Sequence, residues 1–189
     1  MAVIWSSSSV IVSDGWVGYQ FRNILPTAAL TSPGANSGQI RCTVTTDATG
    51  SGSTNFDAVW IGPGITSPVY NFDGTQVQLT FSGATFFNAV GPSTSIVTDF
   101  VPFTFNFSSA VSLVTAIHIS GTGGDLVRTA DLGASGYDMQ YQLMAAGQEG
   151  STAPTGTFTN AGGFITAVTS IEMIISTPAN PFVNIWISQ

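Results

Sequence analysis

The chain has 189 residues, of which 43 % are hydrophobic and only 7 % are charged, against about 25 % charged residues in a typical soluble domain. With three arginines, no lysine and ten acidic residues, its formal net charge is −7, which excludes a binder of nucleic acid or of anionic membranes because both need clustered positive charge. The single cysteine excludes an internal disulfide, and no apolar run approaches the roughly 20 residues of a membrane-spanning helix.

The first residues lack the pattern of a signal peptide. Residues 1–12 read MAVIWSSSSVIV, with neither the basic segment nor the continuous apolar run that secretion signals carry. We therefore expect the protein to be made in a cytoplasm, and a route to the outside other than secretion stays open.

A period of two dominates the sequence and is typical of half-buried antiparallel strands. In residues 76–82 the apolar Val77, Leu79 and Phe81 alternate with polar residues. Residues 137–143 and 17–22 repeat the pattern. Because such strands are half-buried, we expect their polar face to meet solvent. In chain order, strands are predicted at residues 2–12, 17–22, 39–44, 55–61, 76–82, 101–107, 110–120, 137–143, 164–175 and 181–188.

Turn signals that contain glycine or proline separate these strands. Helical periodicity is nearly absent, with at most a short turn at residues 26–30 or 142–147. Residues 144–162 are small and polar and are predicted to form a loop. About ten short strands between such turns predict an all-β fold, an antiparallel two-sheet β-sandwich of jelly-roll type, with a single domain over residues 1–189.

Four phenylalanines lie within residues 98–109, TDFVPFTFNFSS. On an extended strand, Phe103, Phe105 and Phe107 share one face with Val101, and polar residues lie opposite. The proline at 102 favours an edge strand or the start of a strand. Aromatic sugar-binding platforms favour Trp and Tyr, whose polar atoms suit a wet surface. We therefore interpret the phenylalanine face as core rather than as a binding surface.

The sequence offers little for catalysis. It has one histidine, His118, and neither a G-x-S-x-G motif nor a glycine-rich phosphate loop, so a Ser-His-Asp triad has no local support. Glu149 and Glu172 are the only glutamates, and no spacing pairs two carboxylates as a glycosidase requires. His118 is interpreted as a solvent-side or hydrogen-bonded strand residue, and Cys42 as a buried, inert thiol. We therefore expect no enzymatic activity.

No cofactor is expected, and calcium is the one metal ion that the sequence leaves open. Zinc is disfavoured because His118 and Cys42 are the only soft ligands, whereas calcium takes oxygen ligands from loops. The candidate metal ligands are Asp57, Asp73 and Asp99, with Asp14 and Asp125 as further loop aspartates. The alternative for each is a turn-forming aspartate that hydrogen-bonds its own backbone.

Two aromatic residues are candidates for ligand binding. Trp16 follows an Asp-Gly turn, and Tyr70 precedes another. Both are expected near loop tips, where an aromatic ring can stack on a sugar; the alternative is that they belong to the core or to an interface. Trp60 and Trp186 lie within strand patterns and are expected in the core.

Four segments resemble the jelly-roll domains of bacteriophage accessory virion proteins, which in turn are similar to carbohydrate-binding modules. They are residues 56–62 (FDAVWIG), 78–83 (QLTFSG), 99–105 (DFVPFTF) and 114–120 (VTAIHIS). The resemblance lies in strand rhythm over about residues 55–120. It implies a non-enzymatic, homo-oligomeric component of a virion, such as a tail-tip, fibre or head-decoration protein, and carries over no catalytic residues.

The first functional hypothesis is a structural or adhesive virion component, made in the host cytoplasm. Its partners would be copies of itself, other virion proteins and host surface glycans. The absence of lysine favours assembly, because lysine commonly protects exposed sheet edges from unwanted pairing. The alternative is a carbohydrate-binding module that acts through loop aromatics. An enzyme and a soluble lectin or toxin-like pore component are further alternatives.

Overall fold

The computed structural model describes residues 1–7, 10–13, 15–46, 52–123, 126–129, 136–143 and 147–175. Over these residues the chain forms fourteen strands and one short 3₁₀ turn, Thr27–Ala29. The strands are β1 (Ala2–Ser6), β2 (Val10–Ser13), β3 (Tyr19–Pro26), β4 (Ser37–Thr45), β5 (Thr54–Pro63), β6 (Val77–Leu79), β7 (Phe87–Val90), β8 (Ser95–Val97), β9 (Val101–Thr104), β10 (Ser112–Gly121), β11 (Leu126–Thr129), β12 (Asp138–Leu143), β13 (Thr159–Gly162) and β14 (Val168–Ile175).

Most of the strands form two antiparallel sheets that pack face to face. Sheet I has the order β1-β14-β4, and both β8 and β9 pair with the free side of β4. Sheet II has the order β13-β12-β3-β10-β5, and both β6 and β7 pair with the free side of β5. Among the described strands, β2 and β11 form a third, two-stranded sheet.

The strand order is that of a jelly roll. The strands of a jelly roll are conventionally lettered B to I. Here B is β1, C is β3, D is β4, E is β5, F is β6 with β7, G is β8 with β9, H is β10 and I is β14. With these letters, sheet I has the order B-I-D-G and sheet II contains C-H-E-F. The inserted strands β12 and β13 widen sheet II beyond β3. The prediction of an all-β, antiparallel two-sheet sandwich of jelly-roll type is confirmed.

The main core lies between the two sheets and is built from alternate residues of their strands. In β4, Ile40, Cys42 and Val44 are buried, as the sequence predicts, while the residues between them are partly exposed. The strands β5, β10 and β14 contribute inward rows of the same kind. Burial raises the pKa of the Cys42 thiol to about 12, so the reactive thiolate is scarce near neutral pH.

The phenylalanine run belongs to this core. Phe103 and Phe105 are 4 % and 1 % exposed, and the ring of Phe105 packs edge-on against Phe107 with centroids 4.9 Å apart. The strand that begins the run, β9, pairs only with β4 among the described strands, so Pro102 lies on an edge strand, where a missing N–H is tolerated. The predictions of a phenylalanine core and of an edge strand are confirmed.

The polar side of sheet II is buried, and the prediction that it meets solvent is wrong. Gln20 and Arg22 on β3 and Gln142 on β12 are at most 7 % exposed. Two loops, residues 64–76 and 147–158, lie over this face. The predicted alternation is correct, but it does not reveal whether a polar face meets water or a further layer of the chain.

A second, smaller hydrophobic cluster lies beneath these loops. Its members come from both the sheet and the loops: Ile24, Phe72, Val114 and Ala116, with Trp60 and Tyr70 packed against them. Because Phe72 comes from the loop and is only 2 % exposed, apolar burial helps to hold the loop on the sheet.

Some elements differ in extent from the prediction. The predicted strand 2–12 is divided into β1 and β2, and the predicted loop 144–162 ends in β13. The sequence does not predict β7, β8 and β11, because strands of three or four residues are too short to display a period. The predicted strand 181–188, with Trp186, lies outside the described residues. None of the described helical structure has the length and hydropathy to cross a membrane.

We predict that Leu79→Ala lowers the free energy of unfolding by about 2–5 kcal/mol, because it leaves a cavity in the core. Leu79 is fully buried, whereas Leu143 is 69 % exposed. Leu143→Ala removes the same atoms from the surface and is expected to change this free energy by less than about 0.5 kcal/mol. Urea unfolding of both variants measures the two differences. Equal losses would contradict the assignment of Leu79 to the core.

Candidate functional site

Two surface clefts of about 510 Å³ each open on the protein, within the range of roughly 300–1,000 Å³ that is usual for small-molecule sites. The Asp57 cleft is lined by Asp57, Ala58, Trp60, Gln78 and residues 147–151. The Asp73 cleft lies between residues 63–75 and 104–111. Its lining is largely apolar and includes Asp73, Asn106 and four Thr and Ser side chains. The lining of the Asp57 cleft is the more polar of the two, and this cleft is therefore the candidate functional site.

Asp57 reaches the cleft because the ladder between β5 and β10 is irregular at this point. Ala58 pairs with His118 and Phe56 pairs with Ile119, so Asp57 is an extra residue on β5, as in a β-bulge. Bulges commonly redirect a side chain, and here a carboxylate is presented on the outer side of sheet II beside Ala58 and Trp60.

Two neighbours on β10 fix the orientation of the Asp57 carboxylate. Oδ2 lies 2.7 Å from Nδ1 of His118, at which distance the imidazole N–H donates to the carboxylate, and the Ser120 hydroxyl donates to Oδ1 at 2.8 Å. The His118 side chain is 5 % exposed and that of Asp57 is 26 % exposed. Of the two interpretations of His118, the hydrogen-bonded one is therefore confirmed and the solvent-side one is wrong.

This arrangement differs from a Ser-His-Asp triad. In a triad the histidine lies between the serine and the aspartate, so that it can take the serine proton. Here the carboxylate of Asp57 lies between Ser120 and His118. His118 and Ser120 are thus placed to hold the Asp57 carboxylate, a hydrogen-bond acceptor, in one orientation.

Trp60 and Gln78 are cross-strand neighbours in the ladder between β5 and β6, and both line the Asp57 cleft. Within the part of the chain that the structure describes, neither the indole N–H of Trp60 nor the side-chain amide of Gln78 makes a hydrogen bond. Both side chains are partly exposed, so the cleft offers uncommitted donors and an uncommitted acceptor next to the carboxylate of Asp57.

The wall of the cleft is held in place by Arg22. This side chain is completely buried, and its Nη2 donates to the carbonyl oxygens of Gln148 and Ser151, both at 3.0 Å. Its Nη1 donates to the carbonyl oxygen of Tyr70 at 3.3 Å, and the guanidinium lies 4.5 Å from the centroid of the Phe72 ring. Both covering loops are thus tied to β3 by one cation.

Burial lowers the pKa of Arg22 to about 10, although the nearby carboxylate of Glu149 acts in the opposite direction. Arg22 therefore stays charged near neutral pH. Glu149 is itself 3 % exposed, and its carboxylate accepts from the backbone N–H of Gly147. The loop thus brings a buried carboxylate close to a buried cation.

Gly150 fits closely over Trp60. A Cβ atom at this position would lie 2.6 Å from Cε2 of the indole, so the ring or the loop would have to shift to admit a side chain. The carbonyl oxygen of Gly150 accepts from Nε2 of Gln76 at 2.6 Å. The position favours glycine because the backbone itself packs on the indole ring.

The two predicted aromatic ligand residues do not line either cleft. Trp16 packs edge-on against Tyr19, Phe21 and Tyr141, with centroids 5.1 to 5.3 Å apart, and adjoins the main core. Tyr70 stacks on Phe158 with centroids 4.6 Å apart. Both rings therefore have the packing that the core alternative describes.

The structure places Asp57, Asp73 and Asp99 in three separate surroundings. Asp73 forms an aspartate turn, since its Oδ1 accepts from both the backbone N–H and the hydroxyl of Thr75. Among the described residues, no three His, Cys, Asp or Glu side chains are grouped so that they could hold a metal ion. Asp14 and Asp125 lie outside the described residues.

Asp99 braces a tight turn between residues 80 and 84. Its Oδ2 accepts from the backbone N–H of Gly83 and from the hydroxyl of Thr80, both at 2.7 Å. These hydrogen bonds lower the pKa of Asp99, and the one from the Gly83 N–H has the largest effect. They do so because they favour the charged form of the carboxylate.

The two glutamates are not paired. Glu172 lies on sheet I, where Oε2 is 2.6 Å from Nε of Arg41, whereas Glu149 lies in the loop over sheet II. The two residues thus belong to different sheets of the sandwich, so they do not form the two-carboxylate arrangement of a glycosidase.

Sequence reasoning missed Trp60, Gln78 and residues 147–151 as members of one site. Trp60 and Gln78 each match a strand pattern, and only the pairing of β5 with β6 makes them neighbours. The one local signal was the glycine at 150, in a segment predicted to be a loop.

Comparison with protein-family models found no match, and comparison with curated proteins found no relative.

We predict that Arg22→Met lowers the free energy of unfolding by about 3–5 kcal/mol, because it leaves carbonyl groups and the buried Glu149 without their cationic partner. Arg41→Met is the matched control. The Arg41 side chain is 27 % exposed, and loss of such a surface pair typically changes stability by about 0–1 kcal/mol. Urea unfolding compares the two variants, and similar losses in both would contradict the role given to Arg22.

We predict that Asp99 makes stability depend on pH in acid. Its folded-state pKa lies below the unfolded value of about 3.9, so its contribution is complete above that value and is lost as pH falls through the folded pKa. The urea midpoint of the native protein should therefore fall more steeply than that of Asp99→Asn between about pH 5 and about pH 2. Parallel curves for the two proteins would refute this assignment.

Proposed function

We propose that this chain is a structural subunit of a bacteriophage virion, a head-decoration, tail-tip or fibre protein, and that it assembles as a homo-oligomer. The observation that carries the proposal is a set of exposed apolar residues at two edge strands: Phe86 and Phe87 at β7 are 50 % and 37 % exposed, and Val97 on β8 is 47 % exposed. These three residues are called the β7–β8 surface below.

Both sheets end at the β7–β8 surface. The strand β7 pairs with the free side of β5 in sheet II, and β8 pairs with the free side of β4 in sheet I. A connection of only four residues, 91–94, joins them. Among the described strands, β7 and β8 each pair on one side only, so two sheet edges lie on one side of the molecule. Unpaired edges are templates for pairing with another chain.

The chemistry of this surface favours burial against another copy. Natural proteins commonly protect such edges with lysine, and this chain has none. The ring of Phe87 already rests on Phe81, which is 4 % exposed, with centroids 5.5 Å apart. A ring held in place loses little conformational freedom on association, and exposed apolar residues of this size suit a protein interface.

Assignment to a virion rests on architecture and composition together. Jelly rolls recur in viral capsid and lectin domains, and a chain with 7 % charged residues suits a surface that is covered by neighbours. The partners are then copies of the chain itself and other virion proteins. The alternative function, a carbohydrate-binding module acting through Trp16 and Tyr70, gains no support, because both rings pack on other rings of the protein.

We predict that the purified protein sediments as a discrete oligomer and that Phe86→Lys raises the dissociation constant at least about tenfold, because burying an unpaired charge opposes association. Analytical ultracentrifugation over a range of concentrations measures both. Circular dichroism of the variant shows whether the fold is kept.

Leu143→Lys is the control, since Leu143 is 69 % exposed and lies on β12, away from β7 and β8 in the strand order. It is expected to leave the mass unchanged. A native protein that is monomeric at every concentration would contradict the proposal of self-assembly. An oligomer that is insensitive to both Phe86→Lys and Val97→Lys would contradict the proposed surface.

A further inference from the structure

We infer that the Asp57 cleft binds an uncharged saccharide, through Asp57, Trp60 and Gln78. This site goes beyond the proposed assembly, because none of these residues belongs to the β7–β8 surface and neither function requires the other.

The first argument is the set of hydrogen-bonding groups. Asp57 presents a partly exposed carboxylate, which only accepts. The indole N–H of Trp60 only donates, and the amide of Gln78 does both; within the described chain neither side chain makes a hydrogen bond. A saccharide hydroxyl is both donor and acceptor, so a row of hydroxyls matches this set.

The second argument is the rigidity of the site. The carboxylate of Asp57 is held by His118 and Ser120, and Trp60 and Gln78 stand on paired strands. Arg22 fixes the loop that forms the wall by hydrogen bonds to two of its carbonyl groups. Sites that are already in their binding geometry lose less entropy when the ligand arrives.

The third argument is shape. The cleft of about 510 Å³ is large enough for a small ligand of one or a few rings. Trp60 supplies apolar indole surface beside its polar N–H, and such a ring suits ligands that have apolar C–H faces and polar edges. Gly150 covers part of the indole, so the ligand contacts the remaining edge rather than a full ring face.

The fourth argument is charge. Asp57 lines the cleft and Glu149 forms part of its wall, while the guanidinium of Arg22 is buried and donates to backbone carbonyl groups. In a protein with net charge −7, an anionic ligand would be repelled. The cleft therefore favours an uncharged saccharide over a sialylated or sulfated one.

The test uses an array of immobilised neutral oligosaccharides built from glucose, galactose and mannose, with sialylated and sulfated oligosaccharides beside them. Calorimetric titration of the best soluble oligosaccharide then gives Kd. The native protein is expected to bind neutral members and not the anionic ones. Gln78→Ala is expected to weaken binding about fivefold to tenfold, the usual effect of losing one hydrogen bond. Trp60→Phe keeps an aromatic ring but removes the indole N–H, and it is expected to weaken binding for the same reason.

Gln39→Ala is the matched control, because Gln39 is an exposed glutamine on β4 of sheet I. It should bind as the native protein does. Asp57→Asn is measured as well, with circular dichroism and thermal unfolding to verify that the contacts of His118 and Ser120 still support the fold.

Two outcomes would overturn the inference. One is that no neutral oligosaccharide binds, or that only anionic or cationic compounds do. The other is that binding is unchanged in Gln78→Ala, Trp60→Phe and Asp57→Asn. The titration is repeated with Phe86→Lys, so that the loss of assembly and the loss of binding are measured separately. Retained saccharide binding by a monomeric Phe86→Lys protein would support the two functions as independent.

Discussion

The hydrogen bonds of one buried cation, Arg22, hold the two loops that cover the outer face of sheet II. Burying a guanidinium is unfavourable unless donors find acceptors. Here carbonyl groups of two loops accept from Nη1 and Nη2, while Nε has no acceptor among the described residues. The ring of Phe72 and the carboxylate of Glu149 add to the stabilisation. As a consequence, sheet II is covered on both faces, and the loop that forms the wall of the Asp57 cleft has a fixed position.

The other two arginines are also partnered by aromatic rings. Each of the three arginines lies over a phenylalanine ring, at 4.5 Å for Arg22, 4.4 Å for Arg41 and 4.1 Å for Arg128. A planar guanidinium can stack on a ring and donate in its own plane at once, whereas a lysine ammonium is a strongly hydrated point charge. Arginine without lysine therefore suits a protein whose cations are largely covered by its own aromatic residues.

The proposed recognition site and the proposed assembly surface use different residues of the sandwich. The Asp57 cleft is built on the covered outer side of sheet II, where a bulge presents a carboxylate beside Trp60. The β7–β8 surface lies at the open edges of both sheets. In the proposed assembly, a subunit that joins its neighbours by the β7–β8 surface keeps the loops over sheet II free for a ligand.

The sequence by itself determined the class of fold and the members of the main core. Alternation with a period of two identified the inward rows, including Phe103, Phe105 and Cys42, because side chains on a strand point to opposite faces. Only the tertiary structure decided what covers the polar faces: Gln20 and Arg22 lie under a loop more than 100 residues away in the chain. It also decided the candidate site, because a local pattern cannot specify the register that makes Trp60 a neighbour of Gln78, or the bulge that presents Asp57.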